Sequence, residues 1–238
     1  MTNITTICKM KSVYKNWCEL LFRYALKNRL EEYATILTRS GSTFIAPIKD
    51  MLYTVNSIWV HKIYGHKPRG VVVDIGANIG AYTIYASETA DKVYAFEPVP
   101  STFRILKHNC KMLRNVTISN YAIGSKNDMK VMHLNKRDGD SSFYPIENES
   151  KQISVFCVSL DNWLTFEGIE RIDTLKLDCE GAEYEILYSS NKLHIVNRIV
   201  MEYHLKEETQ RLIGYLQGKG FKLRRWDAQN KILDFGRI

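Results

Sequence analysis

From residue 71 onward, short apolar runs alternate with segments in which apolar residues recur every three or four positions. Val, Ile and Leu dominate the short runs, as is typical of strands buried on both faces of a parallel sheet. The pattern predicts strands over 71–76, 92–98, 116–124, 174–178 and 198–204, and helices over 81–90, 101–113, 182–188 and 206–217. This order indicates an α/β domain whose mostly parallel sheet carries helices on both faces.

Two pairs of strand-like runs depart from this alternation. Residues 129–135 and 153–160 flank a polar stretch, which predicts a hairpin. Residues 221–227 and 231–238 predict an antiparallel pair that closes the chain.

Residues 1–69 have a different pattern. Apolar residues spaced by three and four predict helix over 12–38, and a second periodic stretch runs from Met51 to Ile63. A turn-like sequence at 67–70 separates these segments from the strand-rich remainder. We therefore predict a helical N-terminal cap over residues 1–69 and a main domain over residues 70–238.

Charge distinguishes the same two parts. Residues 1–69 hold 11 Lys and Arg against 4 Asp and Glu, whereas residues 70–238 hold 22 of each kind. The whole net charge of +7 therefore resides in the cap. A solvated basic face explains this excess, and contact with an acidic partner or a membrane surface is the alternative.

Composition places the chain among ordinary globular proteins, with 45% hydrophobic and 25% charged residues. No apolar run approaches the ~20 residues of a transmembrane helix, and the first twenty residues lack the apolar core of a secretory signal. The five cysteines are odd in number and form no C-x-x-C pair, which favours free thiols. We predict a cytoplasmic protein, with peripheral membrane contact through the cap as the alternative.

The first strand-to-helix turn of the main domain reads Asp74-Ile75-Gly76-Ala77-Asn78-Ile79-Gly80. Ligands of parallel sheets bind outside the carboxyl ends of the strands, and glycines there let the backbone approach a ligand closely. A dinucleotide-binding G-x-G-x-x-G would need glycines where Asn78 and Ala81 stand. Asp74 adds a carboxylate, which suits a cation better than a pyrophosphate. The turn therefore favours S-adenosylmethionine, which carries an ammonium and a sulfonium group.

The next strand ends at Glu97-Pro98. An acidic residue there, one strand-helix-strand unit after Asp74, is placed to accept hydrogen bonds from the two hydroxyls of a ribose. Turn and strand-end acid together predict the cofactor site at the ends of these two strands.

Several motifs then occur in the order known from one family. They are VVVDIGANIGAYT, YAFEPVP, YAIGS, the pair Ser141-Ser142, LKLDCEGAEYEIL and VMEYH, over about residues 70–205. With these motifs the chain resembles the FkbM-type methyltransferases, a branch of the Rossmann-like, S-adenosylmethionine-dependent superfamily. The resemblance implies a class I methyltransferase fold with a seven-stranded sheet, and methylation of a hydroxyl on a sugar, glycan, glycolipid or small metabolite.

The resemblance also implies a set of cofactor contacts. S-adenosylmethionine would be held by Asp74, Gly76, Ala77, Asn78, Gly80, Thr83, Glu97, Pro98, Ala122, Ile123 and Asp178. Tyr121 departs from the small residue expected in the segment that lines the adenine.

Four ionisable residues mark the ends of two later strands. Asp178 and Glu180 end strand 174–178, and Glu202 and His204 lie at alternate positions near the end of strand 198–204. Because neighbouring parallel strands end at one edge of the sheet, these groups should converge beside the transferred methyl group. We predict that Glu202 and His204 handle the acceptor's proton, and that Asp178 and Glu180 position acceptor and cofactor. The residues show no diagnostic metal spacing, so no metal site is predicted.

Three other functions fit parts of the sequence. The basic cap and the pI of about 9.0 suggest a nucleic-acid methyltransferase, which the neutral main domain and the missing N/D-P-P-Y/F tetrapeptide disfavour. The second function is that of a non-catalytic module that binds the cofactor without transferring its methyl group. A nicotinamide-dependent oxidoreductase is the third, and the glycine spacing of the first turn argues against it.

Overall fold

The strands and helices are described by a computed structural model over residues 4–25, 32–135, 142–143 and 149–238. The strands, in chain order, are β1 (Tyr33–Leu37), β2 (Thr43–Pro47), β3 (Val71–Ile75), β4 (Lys92–Phe96), β5 (Val116–Ser119), β6 (Ala122–Gly124), β7 (Asp128–Asn135), β8 (Glu149–Ser159), β9 (Thr174–Leu177), β10 (Arg198–Glu202), β11 (Phe221–Asp227) and β12 (Ile232–Arg237). The helices are α1 (Ile4–Val13), α2 (Trp17–Ala25), α3 (Ile48–Asp50), α4 (Asn56–Trp59), α5 (Ala81–Ser87), α6 (Pro100–Cys110), α7 (Leu160–Phe166), α8 (Glu183–Ser189) and α9 (Lys206–Gly218). A π-helical turn over Met51–Val55 joins α3 to α4, and a 3-10 turn over Leu193–Ile195 precedes β10.

Seven strands form the main sheet in the order β11-β12-β10-β9-β3-β4-β5. The strands from β10 to β5 pair in parallel, and β12 is antiparallel to both β10 and β11. The predicted seven-stranded, mostly parallel sheet with a closing antiparallel pair is confirmed. The strand order reverses between β3 and β9, which places the expected ligand crevice at the carboxyl ends of these two strands.

Alternate residues of the buried strands face two hydrophobic clusters. Val72 of β3 lies in one cluster, together with residues of α5, α6 and the N-terminal segment. Val73 lies in the other, together with residues of α7, α8 and α9. Helices therefore cover both faces of the sheet, as the continuous apolar runs of the strands predict.

The predicted strand over 116–124 is two strands in two sheets. β5 ends the main sheet, whereas β6 pairs with β8 in a small sheet of order β6-β8-β7. The chain turns at Asn120, whose side-chain amide donates hydrogen bonds to the carbonyls of Glu97 (2.9 Å) and Pro98 (3.1 Å). The predicted hairpin is confirmed by the antiparallel pairing of β7 with β8. The helix α7, which follows β8 and is capped by Ser159, has no counterpart in the prediction.

The helix predicted over 12–38 is wrong at residues 14–16, where the chain turns between α1 and α2, and at its carboxyl end. Residues 33–37 form β1, which pairs with β2 around a turn at Ser40-Gly41. Ala34 and Ile36 are buried while their neighbours are not, which is the two-residue period of a strand rather than that of a helix. Residues 26–31 of the predicted helix lie outside the described part of the chain.

The N-terminal segment and the main sheet share one hydrophobic cluster. Met10, Tyr14 and Leu20 are fully buried in the cluster that also contains Val72, and Trp59 Nε1 donates to the carbonyl of Ala81 at 3.1 Å. Packing therefore joins the two parts that charge and pattern separate, and their division at residue 69 stays a prediction. Lys9, Lys11 and Lys15 are exposed, and contact of this basic face with an acidic or membrane surface also stays a prediction.

Two further expectations concern cysteines and membranes. All five cysteines are free thiols, as predicted. Within the described ranges, no helix has both the length and the apolar character needed to cross a bilayer.

Candidate functional site

The turn after β3 brings three strand ends together. Gly76, Asn78 and Gly80 all have positive φ, of 76°, 52° and 92°. A Cβ on Gly76 would lie 1.8 Å from the carbonyl oxygen of Asp178, so only glycine allows this approach of β3 to β9. The amides of Gly76 and Ala77 donate to the carbonyl of Phe96, at 3.1 and 2.9 Å. The predicted turn is thus a backbone cradle held against both neighbouring strands.

Glu97 closes one side of this cradle. Its carboxylate accepts hydrogen bonds from the amides of Asn78 (3.0 Å) and Val99 (2.9 Å) and is almost entirely buried. Burial raises the pKa of Glu97 to about 7, although the two backbone hydrogen bonds favour its ionised form. The structure therefore joins the two features, turn and strand-end acid, that the sequence predicts as a site.

Asp74, predicted to receive a cationic ligand, lies beside a cation of the protein itself. Its fully buried carboxylate lies 3.0 Å from the ammonium of Lys176 on β9 and accepts a 2.6 Å hydrogen bond from the hydroxyl of Thr83. Burial alone would lower the pKa of Lys176, but the charges of Asp74 and Asp178 raise it above its ordinary value. Asp74 is thus paired with the protein's own cation, and its contact with a cationic ligand stays a prediction. Thr83 supports this ion pair, and its contact with the cofactor also stays a prediction.

Two more of the predicted cofactor contacts lie on β6, the short strand that follows β5. Ala122 and Ile123 of β6 are buried, and Ala122 shares a hydrophobic cluster with Val99. The ring of Tyr121 lies 5.5 Å from that of Phe96, centre to centre. The bulky Tyr121 therefore packs against the end of β4.

The structure brings the four predicted acceptor-side residues together at the ends of β9 and β10. His204 Nε2 lies 3.2 Å from Glu180 Oε2 and 3.8 Å from Glu202 Oε1. The side chains of Asp178, Glu180 and Glu202 each keep 24–30% of their surface exposed. They form a polar surface that an acceptor can reach beside the Gly76 turn.

Glu180 has a backbone conformation that few residues other than glycine adopt, with φ 55°. The hydroxyl of Ser142 donates a 2.7 Å hydrogen bond to its carbonyl. Ser142, from between β7 and β8, therefore contacts the turn that carries Glu180. Ser141, the other member of the predicted pair, lies outside the described residues.

Glu183, at the start of α8, binds both the turn after β9 and the ring of His204. It is fully buried and accepts hydrogen bonds from the amides of Cys179 (2.7 Å) and Gly181 (2.9 Å). Its Oε1 also lies 3.1 Å from His204 Nδ1. Both ring nitrogens of His204 thus face carboxylates, which accept but do not donate hydrogen bonds when ionised. The geometry calls for a doubly protonated, cationic imidazole.

Two shifted pKa values follow from this arrangement. Burial lowers the pKa of His204, but Glu183, Glu180 and Asp178 outweigh it and raise the pKa to about 9. Burial and the charge of Asp178 raise the pKa of Glu202 to about 7, against the opposing charges of His204, Lys231 and Lys176. At neutral pH His204 therefore already carries a proton, and Glu202 is poised to accept one.

Asp178, Glu183 and His204 also offer possible metal-ligand atoms within 4.8 Å of one another, among the residues that the structure describes. Glu183 already accepts two backbone amides, and the ammonium of Lys176 lies 3.7 Å from Asp178 Oδ2. His204 is paired with carboxylates on both ring nitrogens. Ion pairing with the protein's own cations accounts for the cluster.

Comparison with known proteins identifies the family of the chain. A model of the FkbM methyltransferase domain matches residues 74–223, more than half of the chain. The chain belongs to the FkbM methyltransferase family. The matched range contains the Gly76 turn and Glu97. It also contains the cluster of Asp178, Glu180, Glu202 and His204.

Relatives of this FkbM-family chain act on different molecules. The 2-O-methyltransferase NoeI of Sinorhizobium fredii is 24% identical over 160 residues, which cover 60% of this chain and 66% of NoeI. The hexuronic acid methyltransferase AglP of Haloferax volcanii is 31% identical over 144 residues, which cover 56% of each chain. The 31-O-demethyl-FK506 methyltransferase FkbM of Streptomyces tacrolimicus is 25% identical and is covered to 74%. The chain spans less than two thirds of the length of NoeI and of AglP.

Solved structures include an FkbM methyltransferase from Methylobacillus flagellatus KT. It is 14% identical and has a TM-score of 0.47, with 92% of this chain and 59% of that chain covered.

Sequence reasoning missed three residues of the site in this FkbM-family chain. Lys176 carried a readable signal, because a lysine inside a buried apolar strand needs a buried acid as partner. Glu183 lies within the family motif, but its position on a helix start suggested only a dipole partner. Tyr64 donates a 2.8 Å hydrogen bond to Asp178 Oδ2 from the N-terminal segment, and nothing local in the sequence points to it.

Proposed function

We propose that this chain is an S-adenosylmethionine-dependent O-methyltransferase that methylates a hydroxyl of a sugar, glycan, glycolipid or small metabolite. One observation carries the proposal. The Gly76 turn and Glu97 lie next to the cluster at the ends of β9 and β10, at the point where the strand order reverses. That cluster contains Glu202, whose carboxylate can accept a proton near neutral pH. This arrangement supports a cofactor site next to a group that accepts the acceptor's proton. The name of AglP supports a sugar acceptor, the name of NoeI supports methyl transfer to an oxygen, and the name of the FK506 enzyme supports a small metabolite.

The residues present fit S-adenosylmethionine. Glu97 ends β4 with a carboxylate able to accept hydrogen bonds from ribose hydroxyls, and the acids of the neighbouring cluster favour a positively charged ligand. A pyrophosphate would need cationic partners, and the nearby Lys176 is already paired with Asp74. Glu97 and the 76–80 turn would hold the cofactor. When bound, it supplies a methyl group on a positively charged sulfur.

The chain's own residues then prepare the acceptor. Glu202 accepts the proton of the acceptor hydroxyl, because its pKa of about 7 leaves a large fraction of it ionised, and basic, at neutral pH. His204 remains protonated and holds the carboxylates of Glu180 and Glu183 in place. Asp178 and Glu180 orient the acceptor hydroxyl. This division differs from the sequence-based one, in which His204 and Glu202 shared the proton.

We expect Glu97→Ala to weaken binding of S-adenosylmethionine by about 1.5–3 kcal/mol, or about 10- to 150-fold in Kd, because a charged hydrogen-bond acceptor is lost. Isothermal titration calorimetry measures this change. Asp91→Ala is the matched control, since Asp91 is exposed at the opposite end of β4, and should leave the Kd unchanged. Tighter binding of NAD than of S-adenosylmethionine to the native chain would contradict the proposal.

The reaction itself is tested with S-adenosylmethionine and a panel of methyl glycosides of neutral hexoses and of hexuronic acids, together with a transfer RNA pool. Mass spectrometry should detect one added methyl group on a glycoside hydroxyl. Methylation of the RNA alone would favour the nucleic-acid alternative. Cofactor binding without any methylated product would favour the non-catalytic module.

A further inference from the structure

Tyr64 brings the N-terminal segment into the site. Its side chain is almost entirely buried, and its hydroxyl donates the 2.8 Å hydrogen bond to Asp178 Oδ2. Its ring packs edge-on against the ring of Tyr82, 5.3 Å away. Its carbonyl accepts a 2.6 Å hydrogen bond from the guanidinium of Arg198 on β10. Ring, backbone and hydroxyl are thus each fixed by a separate partner.

The Asp178 carboxylate that Tyr64 contacts also lies near the ammonium of Lys176. Asp178 Oδ2 is 3.7 Å from the Lys176 ammonium, which itself lies 5.6 Å from the centre of the Tyr64 ring. Lys176 is closer to Asp74, at 3.0 Å, so the lysine alone does not fix the Asp178 side chain. The hydroxyl of Tyr64 supplies the shorter, directional contact that selects one orientation of this carboxylate.

We propose that Tyr64 is a positioning residue for methyl transfer, whose hydroxyl holds Asp178 in the orientation that aligns the acceptor. The inference rests on the proposed function, in which Asp178 touches the acceptor. It adds a residue from outside the range that matches the FkbM domain, which begins at Asp74. Residues before the cradle therefore take part in the reaction as well as in packing.

A tyrosine suits this task because it donates without adding charge. Burial and the nearby carboxylates of Asp178 and Glu202 raise the pKa of Tyr64 well above its ordinary value. The hydroxyl therefore stays protonated at every pH at which the enzyme is active. A lysine in its place would add a second cation beside Lys176 and change the charge of the site.

Tyr64→Phe isolates the hydroxyl, and Tyr82→Phe is its matched control. Tyr82 belongs to the same buried aromatic pair, and its hydroxyl has no hydrogen-bond partner among the described residues. Turnover is measured with the panel glycoside that the native chain methylates fastest. We expect Tyr64→Phe to lower kcat by about 10- to 100-fold, because small misplacements of reacting groups carry costs of this size. The Kd for S-adenosylmethionine should stay as in the native chain, and the Tm should fall by only a few degrees, because one buried hydrogen bond is lost. Tyr82→Phe should keep kcat within about twofold.

A double-mutant cycle with Asp178→Ala, which removes the acceptor of the Tyr64 hydroxyl, separates positioning from a general structural role. If Tyr64 acts through Asp178, adding Tyr64→Phe to Asp178→Ala lowers kcat no further. Losses that multiply, a normal kcat in Tyr64→Phe, or an equal loss in Tyr82→Phe would each overturn the proposal. A native chain that binds S-adenosylmethionine but methylates no acceptor would instead overturn the proposed function, and this inference with it.

Discussion

We expect Glu202→Gln to lower the turnover number by about 10²–10⁴-fold, the contribution typical of a positioned general base. Glutamine keeps the shape of the side chain and removes its ability to take a proton. Cofactor affinity should change little, because Glu202 lies on the acceptor side of the site, beside His204. Glu207→Gln, at an exposed position in the first turn of α9, is the control and should keep native turnover.

The pH profile of kcat distinguishes Glu202 from His204 as the base. Glu202 must be ionised, and its pKa is about 7, so turnover should fall as the pH drops below about 7. His204 must stay protonated to hold the carboxylates, and its pKa is about 9, so turnover should fall again above about pH 9. The groups that face Glu202 are Asp178, His204, Lys231, Lys176 and Tyr64. Their charges set the bell-shaped profile, whereas turnover that climbs through pH 9 would identify His204 as the base.

The second large effect is on stability. We expect Lys176→Met to lower the free energy of unfolding by about 3–5 kcal/mol, the usual cost of removing one partner of a buried ion pair. Lys176 and Asp74 have side chains that are 3% and 0% exposed, so among the residues that the structure describes the remaining carboxylate would keep only the hydroxyl of Thr83 as a close partner. Methionine preserves most of the volume, which isolates the loss of charge. Thermal unfolding should shift down by about 6–20 °C.

Two further variants test this explanation. Lys222→Met, at an exposed position on β11, should change stability by less than about 0.5 kcal/mol. Combining Lys176→Met with Asp74→Asn removes both charges and should recover a large part of the lost stability. A loss below about 1 kcal/mol in Lys176→Met alone would show that the pair is not required to neutralise Asp74.

The sequence by itself determined the order in which the strands of the main sheet follow one another along the chain, the Gly76 turn and the acids at the strand ends. These features depend on local patterns. A buried strand needs a continuous apolar run, a sharp turn beside another backbone needs glycine, and an acid at a strand end lies at a known edge of the sheet. Glu97 and the group formed by Asp178, Glu180, Glu202 and His204 could therefore be named before any coordinates.

Only the tertiary structure decided what charge each of these groups carries and which partner fixes it. Asp74 is paired because β3 and β9 are neighbours in the sheet, a pairing between residues 102 positions apart. His204 is a cation because Glu180 and Glu183 lie on its two sides. Tyr64 reaches Asp178 across 114 positions of sequence. Protonation and orientation depend on distances of a few ångströms between distant segments, and periodicity along the chain contains no information on those distances.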